Sequence, residues 1–181
     1  MVWKIYNNSI HLFEPIWVHV SRGGTMSQIL KSKLDPTDSD RIKLNQTFQN
    51  FNTLCNDISP VAHNLGTANI IEITKACYNP MRKKYPNMAS QLIVRAIAKV
   101  AGKLAQNKKA SPYFHPNDAV ILDSKLLTFK HLDEVSIMTI EGRIRIPYSL
   151  VKYKPCDRKR PHGYTELYCD NHTFYLETVV N

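Results

Sequence analysis

The sequence predicts an α+β fold: one strand, about three helices, then a run of short strands closing into a small barrel or sandwich. Three observations predict it. Apolar residues recur at helical steps from Leu44 to Leu104. After Lys108-Lys109 the apolar period drops to two, the signature of strands. A short alternating segment, Ser27 to Leu34, stands ahead of the helical block and reads as a first strand.

The opening 25 residues fit poorly with the rest: they hold both tryptophans, Trp3 and Trp17, and show no sustained period. Arg22-Gly23-Gly24 just before Met26 has purine-rich codons, which fits a ribosome-binding site and translation starting at Met26. Asp35-Pro36-Thr37 is a turn into a helix start, with Asp38 and Asp40 placed to favour the helix dipole. Leu44, Phe48, Phe51, Cys55, Ile58 and Ala62 form the apolar stripe of the first helix, which Pro60 is expected to stop or kink. A second helix is expected from Thr67 to Tyr78, ending at Asn79-Pro80. Ala89, Leu92, Ile93, Ala96, Ile97, Val100, Ala101 and Leu104 make the unbroken apolar face of a third.

Short β segments follow at Ala119 to Leu122, Lys125 to Phe129, Glu134 to Ile140 and Arg143 to Pro147. Glu141-Gly142 reads as a tight hairpin connection. Beyond it Ile144 and Ile146 alternate with Arg143 and Arg145, so one face of that strand is apolar and the other basic. Val151 to Pro161 is a basic loop containing Arg158-Lys159-Arg160, and a last hairpin is expected around Asp170-Asn171.

Charge is the most uneven property of the chain. Lys and Arg number 24 against 15 Asp and Glu, a formal net charge of +9. No acid occurs between Ile73 and Asn117, where Lys75, Arg82, Lys83, Lys84, Arg95, Lys99, Lys103, Lys108 and Lys109 all fall. Such a field favours a polyanion, because each neutralised phosphate releases condensed counterions. Arg95, Lys99 and Lys103 recur at i, i+4 and i+8, and so share one face of the third helix. With Arg82, Lys83, Lys84, Gln91, Lys108, Lys109, Arg143 and Arg145 they are the expected nucleic-acid contacts. Tyr85, Tyr113 and Phe114 are the candidates for stacking on bases.

Other chemistries find little support. Phosphate-cradling glycine loops, nucleophile elbows and zinc-protease motifs are absent. The histidines lie singly, and Asp118 and Asp123 flank a strand in different local settings, so no metal site is expected. Cys55, Cys77, Cys156 and Cys169 form no C-x-x-C pair; Cys55 and Cys77 fall on apolar faces and read as reduced thiols of a cytoplasmic protein. No stretch approaches the length of a membrane span, so no membrane partner is expected.

The order of several segments resembles one family. They are Leu34-Asp35-Pro36-Thr37, Phe51-Asn52, Cys55-Asn56, Tyr85 to Gln91, Arg95 to Val100, Leu127-Thr128-Phe129, Ile137 to Tyr148 and Phe174-Tyr175-Leu176. Over Gln28 to Asn181 the chain resembles the N-terminal half of TnpB, or OrfB, transposases, the RNA-guided DNA nucleases of bacterial insertion sequences. The resemblance implies a wedge-like β-barrel interrupted after its first strand by a helical recognition insert. Residues 1–25 would be a leader, 26–35 the first barrel strand, 36–117 the insert and 118–181 the rest of the barrel. Guide RNA and target DNA are the implied partners, held by shape and backbone while base pairing supplies sequence specificity.

In that family the metal-binding carboxylates and the zinc element belong to a RuvC-like domain that follows the last strand. No residue here matches those positions, so no cofactor and no DNA cleavage is expected of this chain alone. Two alternatives accompany this reading: a stand-alone RNA- or DNA-binding regulator that does not cut, and one half of a split nuclease completed by a separate RuvC-like chain.

Overall fold

The computed structural model describes residues 4–6, 9–11, 28–107, 109–130, 133–151 and 164–180. Among these the elements are β1 (Lys4–Tyr6), β2 (Ser9–His11), β3 (Gln28–Leu34), α1 (Asp38–Asn64), α2 (Ile70–Lys84), α3 (Ser90–Gln106), β4 (Val120–Leu122), β5 (Leu127–Lys130), β6 (Glu134–Thr139), β7 (Gly142–Leu150), β8 (Thr165–Asp170) and β9 (Thr173–Val180). The fold is α+β, as the sequence predicts. Strands β1 and β2 form a separate antiparallel ribbon with Ile5 opposite Ile10. Met26 and Arg158-Lys159-Arg160 lie outside the described residues.

The other strands form one seven-stranded sheet in the order β4-β8-β9-β3-β7-β6-β5. Every neighbouring pair is antiparallel. The end strands β4 and β5 are consecutive in the chain and are joined by a turn in which Asp123 O accepts from Leu126 N (2.9 Å) and Leu127 N (2.8 Å). The sheet therefore curls into a nearly closed barrel. Its first strand, β3, sits in the middle of the order, between the last strand and β7.

Alternation decides what fills the barrel. Leu30, Leu34, Val135, Ile137, Ile144, Ile146, Leu167, Phe174 and Leu176 are buried, while Lys33, Arg143 and Arg145 face out. Gly142 closes the β6–β7 hairpin at φ 103°, a conformation that suits glycine. The last hairpin turns at Asn171-His172, both with positive φ, one residue later than expected.

Thr37 caps α1, its hydroxyl accepting from Asp40 N at 3.2 Å. All six residues of the expected apolar stripe are buried. Helix α2 departs from expectation at both ends, starting at Ile70 and not at Thr67, and of the two outcomes expected at Pro60 of α1 the stop does not occur. Helix α1 runs through Pro60 to Asn64, and α2 runs through Pro80 to Lys84. Proline removes one N–H···O bond near a helix end, and burial of Ala62 and Met81 beyond each proline holds the final turn in place.

Helices and barrel share one continuous core. The N-terminal half of α1 lies against the barrel end that carries the two hairpin turns. Phe48 meets Phe174 with ring centroids 6.1 Å apart, Arg41 Nη1 donates to His172 O at 2.9 Å, and Ile140 N donates to Thr47 Oγ1 at 3.2 Å.

Candidate nucleic-acid interface

The expected basic face of α3 is not an open surface. Helix α3 packs against α1, α2 and β4, and nine of its residues are buried. Lys99 is one of them, 5% exposed. Its ammonium donates to Asn52 Oδ1 at 2.9 Å and Ala119 O at 2.7 Å, and lies 5.0 Å from the Phe114 ring centroid. Burial pushes the Lys99 pKa down, against the opposing pull of Cys55, Asp118 and Glu166. A buried ammonium is tolerated here because protein acceptors and aromatic faces replace its water. Lys99 therefore has no route to an external phosphate, a correction to the sequence expectation. The same burial pushes the neighbouring Cys55 thiol up to about 12, with Lys99 pulling the other way.

Arg95 is also engaged. Its Nε lies 3.4 Å from Asp123 Oδ2, without hydrogen-bond alignment, and its guanidinium carbon is 4.7 Å from the Tyr164 ring centroid. Gln91 Nε2 donates to the same Asp123 oxygen. The other Asp123 oxygen accepts from Lys125 N (3.0 Å) and Leu126 N (3.2 Å). Asp123 thus organises the β4–β5 turn and ties it to α3. Lys103, in the last turn, is half-buried, and the exposed residues of this helix are Ser90, Ala105 and Gln106 at its ends.

What covers α3 is the segment between it and β4. Residues 111–119 run along α1 as an extended strap, held by Asn52, Asn56 and Ser59, which share one helix face. Asn56 makes a two-point clamp on Phe114, donating to its O and accepting from its N, both at 2.8 Å. Asn52 Nδ2 donates to Asp118 O at 2.8 Å and Pro116 O at 3.2 Å. Phe114 goes into the core and is no stacking platform, a second correction. Tyr113, beside it, is exposed.

The end of α2 forms another internal network. Asp57 accepts from Tyr85 Oη and pairs with Lys84 Nζ at 2.7 Å. Burial, then the Asp57 hydrogen bond, pushes the Tyr85 phenol above its usual range, and the ring packs against the core. Tyr85 is therefore not a free stacking ring. Arg82 Nη1 donates to Met88 O at 2.6 Å. Lys83 and Lys109 are exposed, and Lys108 lies outside the described residues. The acid-free window is thus partly balanced in space by Asp57 and Asp123, which lie outside it in sequence.

The barrel presents a different arrangement. Cross-strand register aligns Thr128 with Ser136 and Ser136 with Arg145. With Lys130 and Arg143 these residues line a shallow groove of about 290 Å³ on the outer face of β5, β6 and β7. Arg143 Nη1 lies 3.3 Å from Ser136 Oγ, and Nη2 donates to Lys125 O, which aims the guanidinium along the groove floor. Arg145 stands free of the wall, its side chain 72% exposed and touching Glu134 only at 3.9 Å. Two guanidinium groups, an ammonium and the Thr128 hydroxyl make a donor-rich surface suited to an oxyanion, with the buried Ser136 supporting Arg143 from beneath.

Sequence reading found Arg143 and Arg145 but missed Thr128, Lys130 and Ser136. Their alternation was visible, but their alignment with Arg145 needed the register across β5, β6 and β7. Asn52 and Asn56 entered only through family resemblance, and their role in clamping the strap had no sequence signal. Among the described residues no group of three or more His, Cys, Asp or Glu is placed to hold a metal ion. No helix among them is long and apolar enough to cross a membrane. Comparison of the chain with protein-family models and with curated proteins found no match.

Proposed function

We propose that this chain binds RNA or DNA through the phosphate backbone, as the barrel-and-helix portion of a TnpB/OrfB-type RNA-guided nuclease with guide RNA and target DNA as partners. The observation that carries this reading is the groove on β5–β7, lined by Lys130, Arg143 and Arg145 with the Thr128 hydroxyl. The net charge of +9 supports it, as does the order of one barrel strand, helices, then the remaining strands. Arginine forks match phosphate oxygens by paired N–H···O bonds and carry no sequence preference, which suits a surface that follows backbone shape. Cleavage is not assigned to these residues.

The test is binding of short RNA and DNA oligonucleotides by fluorescence anisotropy, with salt raised from about 0.05 to 0.2 M. Arg143→Glu with Arg145→Glu is expected to lower affinity at least about tenfold and to flatten the log–log salt slope by about 1 to 2. Arg145→Glu alone should give part of that loss with the fold intact, since its side chain is largely in water. A salt slope equal to that of the unaltered chain removes the groove from the interface.

A further inference from the structure

We infer that Tyr113 is a rigidly mounted stacking platform for an unpaired nucleobase. The inference rests on the nucleic-acid reading above and adds a contact of different chemistry, on a different part of the molecule.

Tyr113 is 68% exposed, the most exposed of the large hydrophobic side chains among the described residues. Its backbone is nonetheless fixed on both sides. Ser59 Oγ bonds Pro112 O and lies 2.9 Å from Ser111 Oγ on the N-terminal side. The Asn56 clamp holds both backbone groups of Phe114, and His115 N donates to Asp118 Oδ2 at 3.0 Å. Phe114 is locked in the core at 1% exposure, so the extended strap must turn its neighbours outward. Pro112 and Pro116 restrict the segment further. The His115 ring meets Tyr113 edge to face at 5.2 Å.

An exposed aromatic ring on a fixed backbone gains nothing from burial; that preorganisation of its mount lowers the cost of binding something flat. The surroundings select the partner. The exposed residues next to it in sequence are Lys109, Ala110, Ser111, His115, Pro116 and Asn117, with one cation and no acid among them. The nearby carboxylate of Asp118 is turned to His115 N. A π-face close in sequence to Lys109 and to no exposed acid fits the base of a nucleic-acid strand, since each base offers a flat ring and each linkage a negative charge.

The experiment measures binding of a single-stranded oligonucleotide, and of the same strand carrying abasic sites, to the full chain and to Tyr113→Ala, Tyr113→Phe and Tyr113→Trp. Tyr113→Ala is expected to weaken binding of the intact strand by about 5- to 150-fold, the range measured for losing one base–aromatic stack. The salt slope should stay unchanged, because no phosphate contact is lost. Tyr113→Phe and Tyr113→Trp should bind like the unaltered chain, and the abasic strand should not distinguish Tyr113→Ala from it. Thermal melting of Tyr113→Ala should match the unaltered chain. If Tyr113→Ala binds the intact strand as well as the unaltered chain does, while the charge reversals on β7 still weaken binding, stacking is overturned and the groove stands. Equal losses on intact and abasic strands also overturn it. Failure of the unaltered chain to bind any strand overturns both proposals.

Discussion

Helix α3 and strand β7 each carry cations at a regular period, and the molecule treats the two sets in opposite ways. On α3, Lys99 is enclosed by Asn52, Ala119 and Phe114, and Arg95 lies against Asp123 and Tyr164. On β7, Arg145 reaches solvent, and Arg143 lies along the floor of an open groove. The difference comes from how many sides of each element are covered. A barrel strand has an inside and an outside, so burying Ile144 and Ile146 leaves Arg143 and Arg145 out. A helix has a full circumference, and α3 is wrapped by α1, α2, β4 and the strap. A regular cation spacing therefore marks a surface on a two-faced element, and marks nothing by itself on a helix that its neighbours surround.

The sharpest way to break this comparison is to remove Lys99. Lys99→Ala is expected to lower stability by about 3 to 4 kcal/mol, because it opens a cavity and leaves Asn52 Oδ1 and Ala119 O unpaired. Urea denaturation measures it. A loss under about 1 kcal/mol would mean that Lys99 sits in water after all.

The second test uses pH. The Cys55 thiol is held in its protonated form up to about 12, against 9.0 for the unfolded chain. Its contribution to stability is complete below pH 9.0 and is lost as pH rises toward about 12. There the unfolded chain has released a proton that the native one retains. Lys99 works in the opposite sense. Its lowered pKa makes the native state give up a proton first, so its contribution rises with pH until the unfolded value of 10.5. Tyr85, raised from 10.0, acts in the same sense as Cys55, so stability should fall as pH rises through this range, by up to about 1.4 kcal/mol per pH unit for each of the two groups, with Lys99 offsetting part of the fall below 10.5. Urea midpoints across that range read it, and Cys55→Ala should make the fall shallower.

The smallest expected effect completes the contrast. Arg145→Ala should change stability by no more than about 0.5 kcal/mol, since its ion contact with Glu134 is long and exposed. A loss comparable to that of Lys99→Ala would erase the distinction between the two sets of cations.

Some of this was legible in advance, and for identifiable reasons. The stripe from Leu44 to Ala62 named the buried face of α1, because local helix geometry alone brings those residues together. Alternation along β7 named its two faces in the same way. The end of α2 was misjudged, because a proline near a helix end costs less than the tertiary contacts beyond it contribute. Phe114 and Tyr113 are adjacent in one Pro-bounded loop and looked equivalent. Asn56, 58 residues away from Phe114, decided which ring went inside.

The sequence by itself determined the class of fold, the order of one strand, helices and further strands, the apolar faces and the basic excess. These depend on residues within a few positions of one another. Tertiary structure alone decided that β3 lies between β7 and β9, that Asp57 and Asp123 meet cations of the acid-free window, and that Lys99 is interior while Arg143 and Arg145 line a groove. Each of those outcomes depends on which distant segment covers a given face. Periodicity fixes where a side chain points relative to its own element, and only packing fixes what it meets.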